Sequence, residues 1–425
     1  MMKIIGINSK YFIYIYYILL LLIYLSWDNT DSVPGAAFRI MYYVAALVPI
    51  FVWKMSLLPY VIMLFFSLAS NGYTSSYLPA MVYTYIVPLI ICLLFINNKT
   101  TEKIPNVLFV LFFITLIING ITNFQIESIT TILFIIILSF FYFKKDNTSR
   151  LLYLSLIIMT MSFVLVIAYY MYANNFSTEY AGFESERTGY ADINYVASII
   201  GFGVLLALTE IIQNKAMASL YKIFLSVLVL ISIVSLFQNA SRGSILALGV
   251  GIAFFIVLSK ESFFIKIISL IVIVITIYYI YDNSYMDLLI YRINNDDNGG
   301  SGRIEIWIDK LSLFSQSDSI FKIIFGYGYI GGRSIEGIGQ TAFHNDFIAF
   351  LVEYGFLGFC TFVSFMGLPI IRSTKENRGK VLACMAYLLI VCMTLEPFAA
   401  GRLPFYVIWL YIYFLSKEKN AILTK

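Results

Sequence analysis

Apolar residues in this chain come in long runs, and short polar stretches separate them. Runs of near membrane-spanning length recur around residues 11–26, 37–53, 57–70, 78–96, 104–121, 126–143, 151–172, 193–212, 219–237, 243–258, 263–281, 345–371, 380–397 and 401–416. A helix of about 20 apolar residues crosses the hydrocarbon core of a bilayer. The pattern therefore predicts an all-α polytopic membrane protein with about fourteen transmembrane helices, a single integral domain over residues 1–425. The first run lacks a small-residue cleavage site and reads as a retained span, not a signal peptide. No tandem repeat is visible.

The polar connections test that reading. With the N-terminus in the cytoplasm and spans alternating, 19 of the 28 Lys and Arg fall inside and 18 of the 24 acids outside. This is the separation that the positive-inside rule demands. Both termini are then cytoplasmic. On the outer side, two connections are long: residues 173–192 and residues 282–344. Loops of the second size tend to be lids or binding elements. Composition adds weight to the class. Hydrophobic residues make up 60% of the chain and charged residues 12%, about half the charge of a soluble domain. Mean hydropathy is +0.87. Cys92, Cys360, Cys384 and Cys392 all lie inside apolar runs, as small core hydrophobes do. No disulfide framework or metal spacing follows, and no nucleic-acid partner is expected.

Candidate chemistry collects on the outer side. In "FQNASRGSILALGVGIAFF", residues 237–255, Arg242 stands at the mouth of a span. A helix N-terminus with a guanidinium beside it suits phosphate; an arginine snorkelling to the interface is the alternative. In "NNDDNGGSGRIEIWIDKLSLF", residues 294–314, a glycine-rich turn leads into Arg303. Ile304, Trp307, Ile308 and Leu311 then share a face, which suits a short amphipathic helix on the membrane surface. Asn294, Asp296, Asn298, Gly299 and Glu305 mimic a calcium loop but lack its first aspartate and its flanking helices. "GYGYIG", residues 326–331, fits a dinucleotide fingerprint only by spacing and reads better as a turn.

His344 is the single histidine, set in "TAFHNDFIAFLVEYG", residues 341–355. Asn345 or Asp346 can cap the following helix, which leaves His344 just outside the cap. There it is either a solvated bystander or a base. Glu353 lies on the face of Asp346 about 10 Å further along a helix. A carboxylate there calls for a polar cavity or a buried partner. With one histidine, zinc is not expected. Arg187, Arg333 and Arg402 also fall outside, as secondary contacts for sugar or phosphate or as interfacial charges, and Asp346 and Glu353 join them as secondary candidates. Two guanidiniums match a diphosphate, one base matches an attacking hydroxyl, and the membrane suggests a lipid carrier. Together they describe glycan transfer from a polyprenyl diphosphate to a hydroxyl.

"SRGSILAL", "SGRIEIW" and "HNDFIAFLVEYGFLG" also resemble, in order and spacing, the signature region of the O-antigen ligase and polymerase superfamily, over roughly residues 190–370. The resemblance implies a GT-C-like fold and a metal-independent, inverting glycosyltransferase without cofactor in the bacterial inner membrane, its active site periplasmic. It implies that Arg242 and Arg303 bind the lipid diphosphate and that His344 activates the acceptor. The implied partners are an undecaprenyl-diphosphate-linked oligosaccharide, membrane lipids and a chain-length regulator. Fourteen spans and an Ile/Phe/Tyr/Asn-rich composition lean toward a Wzy-type polymerase over a ligase that transfers glycan to lipid A–core. A lipid-linked oligosaccharide flippase is the rival from another class. Transporters tend to show broken helices and ionisable residues at mid-membrane, whereas the apolar runs here look mostly unbroken.

Overall fold

The computed structural model describes residues 193–214, 217–259, 302–335, 339–340, 342–399 and 403–417, with scattered positions between 111 and 164 and between 264 and 290. The spans expected from residue 11 to residue 143 lie outside the described residues, apart from helical positions at Leu111 and Ile114. So do the loop 173–192 and the calcium-like residues 294–301.

Among the described residues, the apolar frame is built mainly from six helices: α1 (Ile193–Gln213), α2 (Ser219–Gln238), α3 (Arg242–Leu258), α7 (Asp346–Arg372), α8 (Arg378–Thr394) and α9 (Leu403–Lys417). Between α3 and α7 lie α4 (Arg303–Ser315), α5 (Ile320–Phe325) and α6 (Gly328–Arg333). A minimal antiparallel ladder follows, β1 (Ser334–Ile335) on β2 (Gly339–Gln340). Six of the expected spans are thus helices with ends within a few residues of the sequence reading. Among the described residues, α1, α2 and α7 are long and apolar enough to cross a membrane. This is a helical membrane protein. α2 bares Leu220, Ile223, Val227, Leu230 and Ile231, an apolar face of the kind a bilayer accepts.

Helix α3 lies between α1 and α8. Tyr387 of α8 donates its hydroxyl proton to the Ser198 carbonyl of α1 at 2.6 Å. At one end of the bundle Gly243 faces Thr394; at the other Gly379 faces Leu258. So α3 and α8 run antiparallel. The first end gathers the N-termini of α1 and α3 with the C-terminus of α8. The second end holds the Lys380–Glu210 ion pair at 3.4 Å.

One expected span breaks. Gly355 takes φ 70 inside α7, a conformation open mainly to glycine. A straight helix would separate Phe347 and Phe362 by about 22 Å along its axis, yet their ring centroids are 5.5 Å apart. Phe350 and Phe362 stack at 4.2 Å. The short arm, residues 346–354, therefore folds back on the long arm, residues 356–372. Phe365 of the long arm stacks on Trp409 of α9 at 3.9 Å. The next expected span, 380–397, ends early: Leu395 is already extended at φ −140, as a residue so close to Pro397 tends to be. Residues 395–399 become a buried non-helical segment.

Candidate functional site

Three chain segments meet at the first end of the bundle. Helix α2 turns into α3 through Asn239 and Ala240, the latter at φ 49. Ser241 stands at the N-cap and Arg242 opens α3. The hydroxyls beneath are tied together: Ser244 Oγ lies 2.9 Å from Ser241 Oγ and 2.8 Å from Ser198 Oγ. Gly243 carries no side chain because one would strike Thr394, so α3 can close against the end of α8. The second segment opens with Gly302 at φ 71, N-cap of α4, followed by Arg303. Arg303 Nη1 donates to the Thr394 carbonyl at 2.8 Å. Arg242 and Arg303, 61 positions apart, thus line one pocket with Asn194, Ser241, Gly243, Ser244, Thr394 and Leu395. Both arginines stand at helix starts, where backbone N–H groups and the helix dipole favour anions.

The third segment carries His344, half-buried and at φ 52. Its neighbours are fixed on both sides. The N–H of Phe343 donates to Glu396 Oε2 at 2.8 Å, and its carbonyl accepts from Trp307 Nε1 at 2.7 Å. Asn345 caps α7, its Oδ1 accepting from the N–H groups of Phe347 and Ile348. Asp346 N–H donates to the Leu395 carbonyl at 3.1 Å. Two residues of chain span at most ~7 Å, so this bond keeps the His344 backbone close to a residue that lines the arginine pocket. The cap and the position of His344 just outside it agree with the sequence reading.

Asp346, Glu353 and Arg333 were expected as secondary substrate contacts. Each is buried and engaged with protein groups. The Asp346 carboxylate accepts from Phe398 N and Ala399 N, the latter at 2.8 Å. Arg333 Nε donates to Glu353 Oε1 at 2.7 Å and its Nη1 to Glu396 Oε1 at 2.8 Å. Glu353 thereby has the buried partner that its place in an apolar run called for. Two cations lie within 6 Å of the Phe343 ring, Lys310 Nζ at 5.7 Å and the Arg333 guanidinium at 5.8 Å. Burial holds Lys310 below the ordinary lysine pKa, against the opposing pull of Asp309 and Glu353 and with Arg333 adding to the shift. Arg187 and Arg402 lie outside the described residues.

Sequence reasoning passed over Trp307 and the segment 393–399. It set Trp307 on a membrane-facing stripe with Ile304, Ile308 and Leu311. Those three are exposed, but the indole turns inward to donate its proton. The signal was the N–H itself, which needs an acceptor when covered. Glu396 was hidden in an expected span, where an acid beside Pro397 marked the end of regular helix.

Residues 227–363 match the model of the O-antigen ligase family. The match spans the Arg242, Arg303 and His344 segments and leaves Thr394–Ala399 beyond its end. No curated protein and no solved structure matches the chain. The frame that holds His344 is thus completed by residues outside the matched region.

Proposed function

We propose that this membrane protein is a polysaccharide polymerase. It transfers a glycan from undecaprenyl diphosphate to a hydroxyl of another lipid-linked repeat unit, on the periplasmic face of the bacterial inner membrane. The observation that carries the reading is the convergence of Arg242 and Arg303 on one pocket beside the segment that anchors His344. Two guanidiniums with two helix N-termini bind and hold a diphosphate, and they stabilise it as it leaves. The His344 imidazole takes the proton of the attacking hydroxyl. A bond forms between the acceptor oxygen and the anomeric carbon, and the bond from that carbon to the diphosphate oxygen breaks. Attack opposite the leaving group inverts the anomeric centre. The electron pair leaves with the lipid diphosphate, so no cofactor or metal is required.

The description of the matched family favours a second reading, in which lipid A–core is the acceptor. Transport is the third. The broken α7 gives it little support, because Val352 O, beside the break, accepts a hydrogen bond from Tyr327 N at 2.9 Å and is not left to an ion. The experiment supplies a purified undecaprenyl-diphosphate repeat unit to the reconstituted protein, with and without lipid A–core. A ladder without core is the expected result. Product only with core means a ligase, and movement without a new bond means a flippase. His344→Asn is the variant of choice, since asparagine tolerates positive φ; it should fold, insert and form no product. Full activity in that variant removes the base.

A further inference from the structure

α5 reads "IFKIIF", and its side chains are bare, with Ile320 74% and Phe321 69% exposed. Its backbone, in contrast, is firmly held. Gly326 and Gly355, both at positive φ, lie backbone against backbone, and a Cβ on either would run into the chain of the other. With Tyr327 N bonded to Val352 O, the end of α5 is fastened to the elbow of α7. Just past that elbow stand Phe356 and Leu357, 59% and 45% exposed. The bare surface of α5 thus continues the bare surface of an apolar frame helix.

The long arm of α7 sets the depth. From Phe356 to Arg372 it measures about 25 Å, slightly less than the ~30 Å hydrocarbon core. Arg372, Lys375 and Arg378 mark the far boundary, so the elbow lies just inside the near one. We infer that α5 is immersed in the leaflet on the side of the arginine pocket, with Ile320, Phe321, Ile324 and Phe325 against phospholipid acyl chains. Lys322, on the same helix, holds its ammonium over the Tyr327 ring at 4.8 Å, which keeps its charge off the acyl chains at the headgroup boundary, and residues 316–319, Gln-Ser-Asp-Ser, stay hydrated. A soluble loop would not carry an apolar patch continuous with a membrane face. The anchor fixes the level of its neighbours: α4, which starts at Arg303, and α6, which ends at Arg333, flank a segment tied to the bilayer. A lipid-linked substrate therefore meets the pocket without leaving the membrane. The immersion of α5 does not depend on the reaction proposed above; only its consequence for a lipid-linked substrate rests on that reading.

The test places a bimane label at Phe321→Cys, Ile320→Cys and, for comparison, Gln316→Cys, each in a Cys92→Ser, Cys360→Ser chain reconstituted in vesicles. Brominated phospholipid should quench the labels at positions 320 and 321 several-fold more than the label at position 316, and aqueous iodide should show the reverse order. Two independent α5 positions guard against one variant failing to fold. Iodide reaching all three equally places α5 in water and overturns the proposal. Labels at 320 and 321 that neither quencher reaches mean that protein covers α5, which overturns it as well.

Discussion

The peptide of Phe343 is held at both of its polar atoms by side chains from distant segments, Trp307 and Glu396. This is how a residue at φ 52 can present its imidazole in one place: His344 occupies a conformation that costs an L-residue roughly 1 kcal/mol, and the neighbours absorb the cost. Trp307→Phe keeps the bulk and removes the N–H. In steady-state assays it should lower kcat about tenfold, equivalent to ~1.4 kcal/mol, with the donor KM little changed. A raised KM with normal kcat would make Trp307 a binding residue and not a positioning one. Lys310 supplies a pH signature. Its pKa is lowered in the folded protein, so above that value the unfolded chain binds more protons than the folded one. Stability attributable to this group therefore rises with pH until the ordinary lysine value of 10.5 is passed. Thermal unfolding in detergent on the alkaline side should show this rise, and Lys310→Met should flatten it.

Among the elements, helix existence was legible and helix interruption was not. The runs at 193–212, 219–237 and 243–258 predict α1, α2 and α3 closely because continuous apolarity is what a bilayer selects. The run at 345–371 is just as apolar, yet it turns back at Gly355. Nothing in hydropathy distinguishes one 27-residue helix from two packed arms. The cause is tertiary: the α5 backbone occupies the space that a side chain at 355 would need. Gly355→Ala meets both a positive φ and the Ile324 carbonyl, and should destabilise by about 2–4 kcal/mol, read as a lowered Tm of the purified protein. A neutral effect would mean that the elbow relaxes in solution. The site was half legible for a related reason. Arg242 and His344 stood out as polar exceptions at the ends of apolar runs and Arg303 as the residue that follows a glycine-rich turn, whereas Trp307 and Glu396 were concealed by the helical patterns around them.

At the scale of the whole molecule, the pocket belongs to no single stretch of chain. Arg242 comes from α3, Arg303 from α4 and the Thr394 carbonyl from the end of α8. If both guanidiniums grip one diphosphate, as proposed above, they should not act independently. A cycle of Arg242→Lys, Arg303→Lys and the double variant should show about 1 kcal/mol of coupling in donor affinity; strict additivity would mean that they bind separate groups. The segment 393–399 has a further consequence. It accepts from Arg303, Asn345 and Asp346 and offers Glu396 to Phe343, and the chain delivers it only after every other part of the pocket. A chain made only as far as residue 392 therefore has the arginines and the histidine but lacks the acceptors that hold their segments to the end of α8. On the reading proposed above, a chain truncated before Met393 should insert and form no product.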